Sequence, residues 1–210
     1  MEINSVTTFS DLMQKKAATA TRFLDAYFAP TGQQLPHAQA RLREAMRYSL
    51  LQEGKRFRPT LAMLVAEALG YSAERVLPFA AAVECIHTYS LIHDDLPVMD
   101  NDDYRRGLPT NHKVYGDATA LLAGDALLTE AFRMLARAYH QEPPIATQLV
   151  FLLADASGFD GMVGGQEIDL NSKKVSVTLD ELEVMHRLKT GALISVAAVG
   201  AAHLCFASEA

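Results

Sequence analysis

The residues most able to do chemistry lie in one stretch, His93-Asp94-Asp95-Leu96-Pro97-Val98-Met99-Asp100-Asn101-Asp102-Asp103-Tyr104-Arg105-Arg106-Gly107, which places five aspartates within ten positions. Asp94 and Asp95 close a strongly apolar helical pattern, where the negative end of the helix dipole disfavours clustered carboxylates unless a cation offsets them. On a continuous helix the six-residue step from Asp94 to Asp100 would turn them roughly 120° apart. Pro97 obstructs that helix and lets the chain fold back, bringing Asp100 towards the Asp94 carboxylate. Oxygen-only ligands of this kind suit Mg²⁺, which takes one or two carboxylates together with waters and substrate phosphates. An EF-hand is excluded by spacing, because Arg105 stands where that loop needs Gly and Asn111 where it needs Glu. The competing reading is a solvated acidic loop.

Basic neighbours argue against that plain reading. Arg105 and Arg106 follow the carboxylates, and Gly54-Lys55-Arg56-Phe57-Arg58-Pro59 forms a second basic cluster at a helix start. Guanidinium forks and a lysine near a helix N-terminus are what a phosphate group needs, so the pattern describes a site for two phosphates, one of them shared with metal. Gln166 and Asp169, three apart, share a helical face beside Gly164-Gly165, although such a pair alone is usually a helix break. His186-Arg187-Leu188-Lys189-Thr190-Gly191 puts polar residues into an apolar helix, for which a surface lysine and a kink are the plain alternative. His87 lies seven residues before Asp94, about two helical turns along the same face; in isolation it would read as a core histidine.

Helices must position these groups. Apolar residues recur at helical spacing over 10–28, 37–52, 119–139 and 145–158, and few alternating runs suggest strands. Pro59 starts a further helix ending at Gly70, and Ser72 with Pro78 opens another towards the Asp cluster. Thr178 with Glu181 has capping-box spacing for a helix over 179–206. The expectation is a single all-α domain over residues 1–210.

Nineteen Lys and Arg against 25 Asp and Glu leave a net charge of −6 with no basic run, which disfavours nucleic acid. Cys85 and Cys205 sit in apolar runs and read as buried thiols in a reducing cytoplasm. No leader pattern opens the chain, and the Ala-rich stretch 191–206 is interrupted by His203, so a membrane span is not expected.

These motifs resemble the trans-isoprenyl diphosphate synthases, the bacterial farnesyl diphosphate synthases most closely. The likeness spans residues 54 to 191 and includes Gly54-Lys55-Arg56-Phe57-Arg58-Pro59, the run from Glu84 to Gly107, Ala123-Gly124-Asp125, the Gly164 to Asp169 segment and Lys189-Thr190-Gly191. Their order and spacing together are specific where each alone is weak. The resemblance implies an isoprenoid-synthase helical bundle with a central cavity, usually homodimeric. It implies that Asp94 and Asp100, with Asp95 nearby, hold Mg²⁺ on the diphosphate of a dimethylallyl or geranyl substrate, which Arg105 also holds. Lys55, Arg58, His87 and Arg106 would bind isopentenyl diphosphate, and Gln166, Asp169, Lys189 and Thr190 would line the reacting end of the allylic substrate. Tyr89 and Ser90, five and four residues before Asp94, would floor the product cavity and favour farnesyl diphosphate.

The family carries a second Asp-rich motif downstream of Lys-Thr-Gly, and no Asp-Asp pair follows Asp103 here. The expectation is therefore a fragment or incomplete copy, with the C-terminal part of the bundle missing. The alternatives are a geranylgeranyl diphosphate synthase, a non-catalytic subunit of a heteromeric prenyl synthase, and a terpene cyclase. The intact phosphate-binding set argues against the subunit, and the site for a second diphosphate argues against the cyclase.

Overall fold

A computed structural model of the chain describes residues 8–30, 32, 35–172 and 177–206. The opening residues, read above for a leader, and the final four lie outside the described residues. The elements are α1 (Phe9–Tyr27), α2 (His37–Leu50), α3 (Phe57–Ala68), α4 (Ala73–Asp94), β1 (Tyr104–Arg105), β2 (Leu108–Pro109), α5 (Asn111–Tyr115), α6 (Asp117–Ala138), α7 (Pro143–Ser157), α8 (Met162–Ser172), α9 (Leu179–His186), a π-helical turn (Arg187–Gly191) and α10 (Ala192–Phe206).

α4 is the central helix because it is apolar on every side: Phe79, Ala80, Ala81, Ala82, Val83, Cys85 and Ile86 are all fully buried. It packs most extensively on α6 and α3. The facing stripe of α6 is small, with Ala120, Ala123, Gly124 and Ala131 buried, so the two helices approach closely. Gly200 on α10 serves the same end, since a Cβ there would lie 2.1 Å from the Phe79 ring. The buried residues form one continuous cluster, and Cys85 and Cys205 stand in it as buried thiols without a disulfide.

Local signals set most boundaries. Ser72 caps α4 by accepting from the Glu74 N–H at 3.2 Å. Pro78, expected to open that helix, instead lies inside it, six residues in, past the orphan N–H groups of the first turn, so it withholds one ladder donor. The Thr178–Glu181 capping box is present in both directions, at 3.3 and 2.8 Å. The helical run 179–206 contains a π turn at the polar segment Arg187–Gly191. A two-residue hairpin, Tyr104 to Pro109 and Arg105 to Leu108, and the short α5 were not foreseen; two-residue strands carry no periodicity to read.

Leu179–Phe206 is by length and composition long and apolar enough to cross a membrane. Part of that apolarity is used in packing: Leu193, Val196, Ala197, Gly200, Ala201 and Leu204 are buried, and α10 lies against α3, α4 and α7.

Candidate active site

α4 ends at Asp94, and Asp95 is its C-cap. Beyond them the chain turns back on itself: Asp100 N–H donates to the Asp94 carbonyl at 2.9 Å and Asn101 N–H to the Leu96 carbonyl at 3.1 Å, with Asn101 in the left-handed region at φ 55°. This fold-back brings Asp100 beside Asp94. Burial first, and then the Asp100 charge, push the Asp94 carboxyl above the usual carboxylate range, with Lys189, Arg105 and Gln166 acting in the opposite sense.

The five aspartates divide. Asp103 pairs with Lys113 at 2.6 Å, and the Asp102 carbonyl accepts from Thr110 Oγ1 at 2.7 Å and lies 2.9 Å from His112 Nε2, so both brace the hairpin and α5. The acidic-loop reading holds for that pair. Asp95, expected among the catalytic carboxylates, is buried and receives a two-pronged bond from Arg105, Nε at 2.8 Å and Nη2 at 2.6 Å. Arg105 also reaches within 4.0 Å of Asp94. Burial raises the Asp95 carboxyl, against the pull of Arg105.

A cavity of about 350 Å³ opens beside Asp94. Arg58 and His87 line it on one side, Gln166, Lys189 and Thr190 on another, and Tyr89 and Ser90 lie along α4. Gln166 Nε2 donates to Asp94 Oδ1 at 2.5 Å, and Lys189 Nζ to Asp169 Oδ2 at 2.5 Å, so α8 is tied both to the end of α4 and to the π turn. Gly165 makes this approach possible: a Cβ would lie 2.2 Å from the Lys189 nitrogen. Arg58 Nε is buried with no hydrogen-bond partner among the described residues, an orphan donor that an anion would satisfy. His87 is pushed down to about 3, by burial first and then by Arg58, Arg106, Arg105 and Arg56. It is a neutral imidazole in a strongly cationic setting.

Lys55 stands exposed between α2 and α3. Arg106, at φ 53°, turns away from Arg105 towards that same loop, where Nη1 donates to the Glu53 carbonyl at 3.3 Å. Two residues of consequence escaped the sequence reading. Arg56 is buried against Glu84, a lone acid in the apolar middle of α4 whose presence demanded a buried counter-charge. His93 bonds the Leu121 carbonyl at 2.9 Å and stands edge-on to Tyr89 at 5.6 Å; its four-residue spacing from Tyr89 was the available signal. A larger opening, about 910 Å³ between α1, α2 and α6, contains none of the predicted site residues.

Among the described residues no three His, Cys, Asp or Glu side chains form a metal cluster. Asp94 and Asp100 offer carboxylate oxygens, the donor type that a hard cation accepts alongside water and phosphate.

The polyprenyl synthetase family model matches residues 39–210, and the chain belongs to that family. It is 48% identical over 190 residues to the farnesyl diphosphate synthase of Micrococcus luteus, covering 90% of this chain and 65% of that one. It is also 48% identical over 168 residues to the geranylgeranyl diphosphate synthase of Cyanophora paradoxa, covering 79% and 56%. Among solved structures, the apo FPP/GFPP synthase of Zymomonas mobilis superposes with a TM-score of 0.87 at 40% identity, over 94% of this chain and 70% of that one. The chain spans less than two thirds of the length of these curated relatives.

Proposed function

We propose that this chain carries the diphosphate-binding part of a Mg²⁺-dependent short-chain prenyltransferase, which joins an allylic diphosphate to isopentenyl diphosphate and yields mainly farnesyl diphosphate. One observation carries the reading: Asp94, beside which the fold-back sets Asp100, lines the same cavity as His87 and Arg58, whose Nε is an orphan donor. Family membership and the farnesyl and geranylgeranyl synthases among the relatives support it.

Asp94 and Asp100 would hold Mg²⁺, which would supply positive charge to the departing diphosphate of the allylic substrate. Arg105, steered by Asp95, presents its guanidinium to the same diphosphate. Lys55, Arg58, His87 and Arg106 take the diphosphate of isopentenyl diphosphate. The allylic C–O bond breaks with its electron pair on the diphosphate, the isopentenyl double bond attacks the allylic cation, and loss of a proton restores the alkene. Gln166, Asp169, Lys189 and Thr190 line the reacting end, where they orient the chain and keep water from the cation. The working unit is a homodimer, as the resemblance implies, in the reducing cytoplasm that the cysteine usage suggests.

Calorimetry with geranyl thiolodiphosphate, an unreactive analogue, tests the reading. Binding is expected to need Mg²⁺ and to weaken by about a hundredfold or more in D94A and D100A. Metal-independent binding that survives both substitutions would overturn it.

A further inference from the structure

The basic set for the second diphosphate is assembled around a residue that the proposed reaction does not use. Arg56 is the N-cap of α3 in a left-handed conformation, φ 45° and ψ 40°. Its side chain is 2% exposed and that of Glu84 3%, with Nη1 donating to Glu84 Oε1 at 2.9 Å. Nη2 donates to the carbonyls of Leu50 and Gln52, both at 2.7 Å, and Nε reaches Thr21 Oγ1 at 3.3 Å. Carbonyls at a helix end have no intrahelical donor, so this one guanidinium closes α2 while it ties the start of α3 to the middle of α4 and to α1.

Every member of the basic set hangs from that junction. Lys55 precedes Arg56, Arg58 follows within the first turn of α3, and His87 lies one turn beyond Glu84 on α4. Arg106 is bonded to the Glu53 carbonyl in the same loop. The Glu84 charge favours the cationic forms of both Arg58 and Arg106, against the repulsion of neighbouring arginines. Stability alone is a weak reason for such a pair, because apolar replacement of a buried ion pair is often neutral or stabilising.

We propose that the Arg56–Glu84 pair positions the isopentenyl diphosphate end of the site, holding the 52–58 loop against α4 so that four cationic or polar side chains converge before the anion arrives. The inference rests on the prenyltransferase reading. Arg56 acts through Lys55, Arg58 and Arg106 and touches no reacting atom, so it is a positioning residue.

The test is calorimetry on the chain as it exists, with geranyl thiolodiphosphate and Mg²⁺ added first and isopentenyl diphosphate second. The variant R56M/E84M removes both charges and leaves neither buried alone. It is expected to keep helical circular dichroism and allylic-analogue affinity within about twofold, while isopentenyl diphosphate binds at least about tenfold more weakly. R56K, whose single ammonium cannot hold Oε1 and two carbonyls together, is expected to show the same one-sided loss and decides the matter should the double variant not fold. Unchanged isopentenyl affinity, or equal weakening of both ligands, overturns the positioning role. A parent chain that binds neither diphosphate instead overturns the prenyltransferase reading, and this inference with it.

Discussion

Gly54 and Arg106 occupy one another's space: a Cβ on Gly54 would lie 2.6 Å from Arg106 Nη1 and 3.0 Å from its Cζ. The glycine is a seat for the guanidinium. The contact is with the far end of a flexible side chain, so G54A should change stability by no more than about 0.5 kcal/mol. It should nonetheless swing Arg106 off the Glu53 carbonyl and weaken isopentenyl diphosphate by about five- to tenfold, with the allylic analogue unaffected. Thermal melts and two-ligand calorimetry on the same sample read both effects.

Arg105 and Arg106 are adjacent yet diverge, one onto Asp95 and the other onto the loop before α3. R105A should chiefly weaken the allylic analogue and, by stranding the buried Asp95 carboxylate, cost about 1.5–3 kcal/mol of stability. R106A should weaken isopentenyl diphosphate and cost little, since its bond to Glu53 is long and exposed. Denaturant titrations give the stabilities. Loss of the same ligand in both variants would refute the division.

Tyr89 is 6% exposed, lies along the cavity below Asp94 and is braced edge-on by His93. His93 cannot retreat without leaving the Leu121 carbonyl and the bare face of Gly124, where a Cβ would lie 2.1 Å from Nε2. The ring is therefore held in place against the cavity, as the proposed floor requires. Y89A should improve the affinity of a geranylgeranyl analogue relative to a farnesyl one by about tenfold or more. Ser90 also lines the cavity, but its hydroxyl bonds back to the His87 carbonyl at 2.8 Å, and S90A should alter that ratio by less than about twofold. Competition binding with the two thiolodiphosphates measures it.

His87 titrates near 6.5 in the unfolded chain and at about 3 when folded, so between these values the unfolded chain binds the extra proton. The stability due to its neutrality is complete above about pH 6.5 and is lost as pH falls towards about 3. Asp94 and Asp95, whose carboxyls are raised, act in the opposite direction on acidification. The comparison with H87Q isolates the histidine: the parent should lose about 2–4 kcal/mol more than the variant between pH 7 and pH 4. Urea unfolding across that range would show parallel curves if His87 were solvated.

The sequence alone determined the helical architecture, the caps at Ser72 and Thr178, and the grouping of acidic and basic residues. These follow from apolar periodicity, local hydrogen bonding and the order of motifs along the chain, all of them short-range. Pro97 also announced the turn that returns Asp100 to Asp94, because the obstruction is steric and local. Only the tertiary structure sorted the five aspartates into a pair joined by the fold-back, of which Asp94 lines the cavity, a partner for Arg105 and two braces for the hairpin. It also turned Arg56 inward and Arg106 outward from otherwise similar basic motifs. The reason is that charge type is written in the sequence, whereas burial and partner are fixed by what other helices place opposite: Glu84 for Arg56, and the empty side of Gly54 for Arg106.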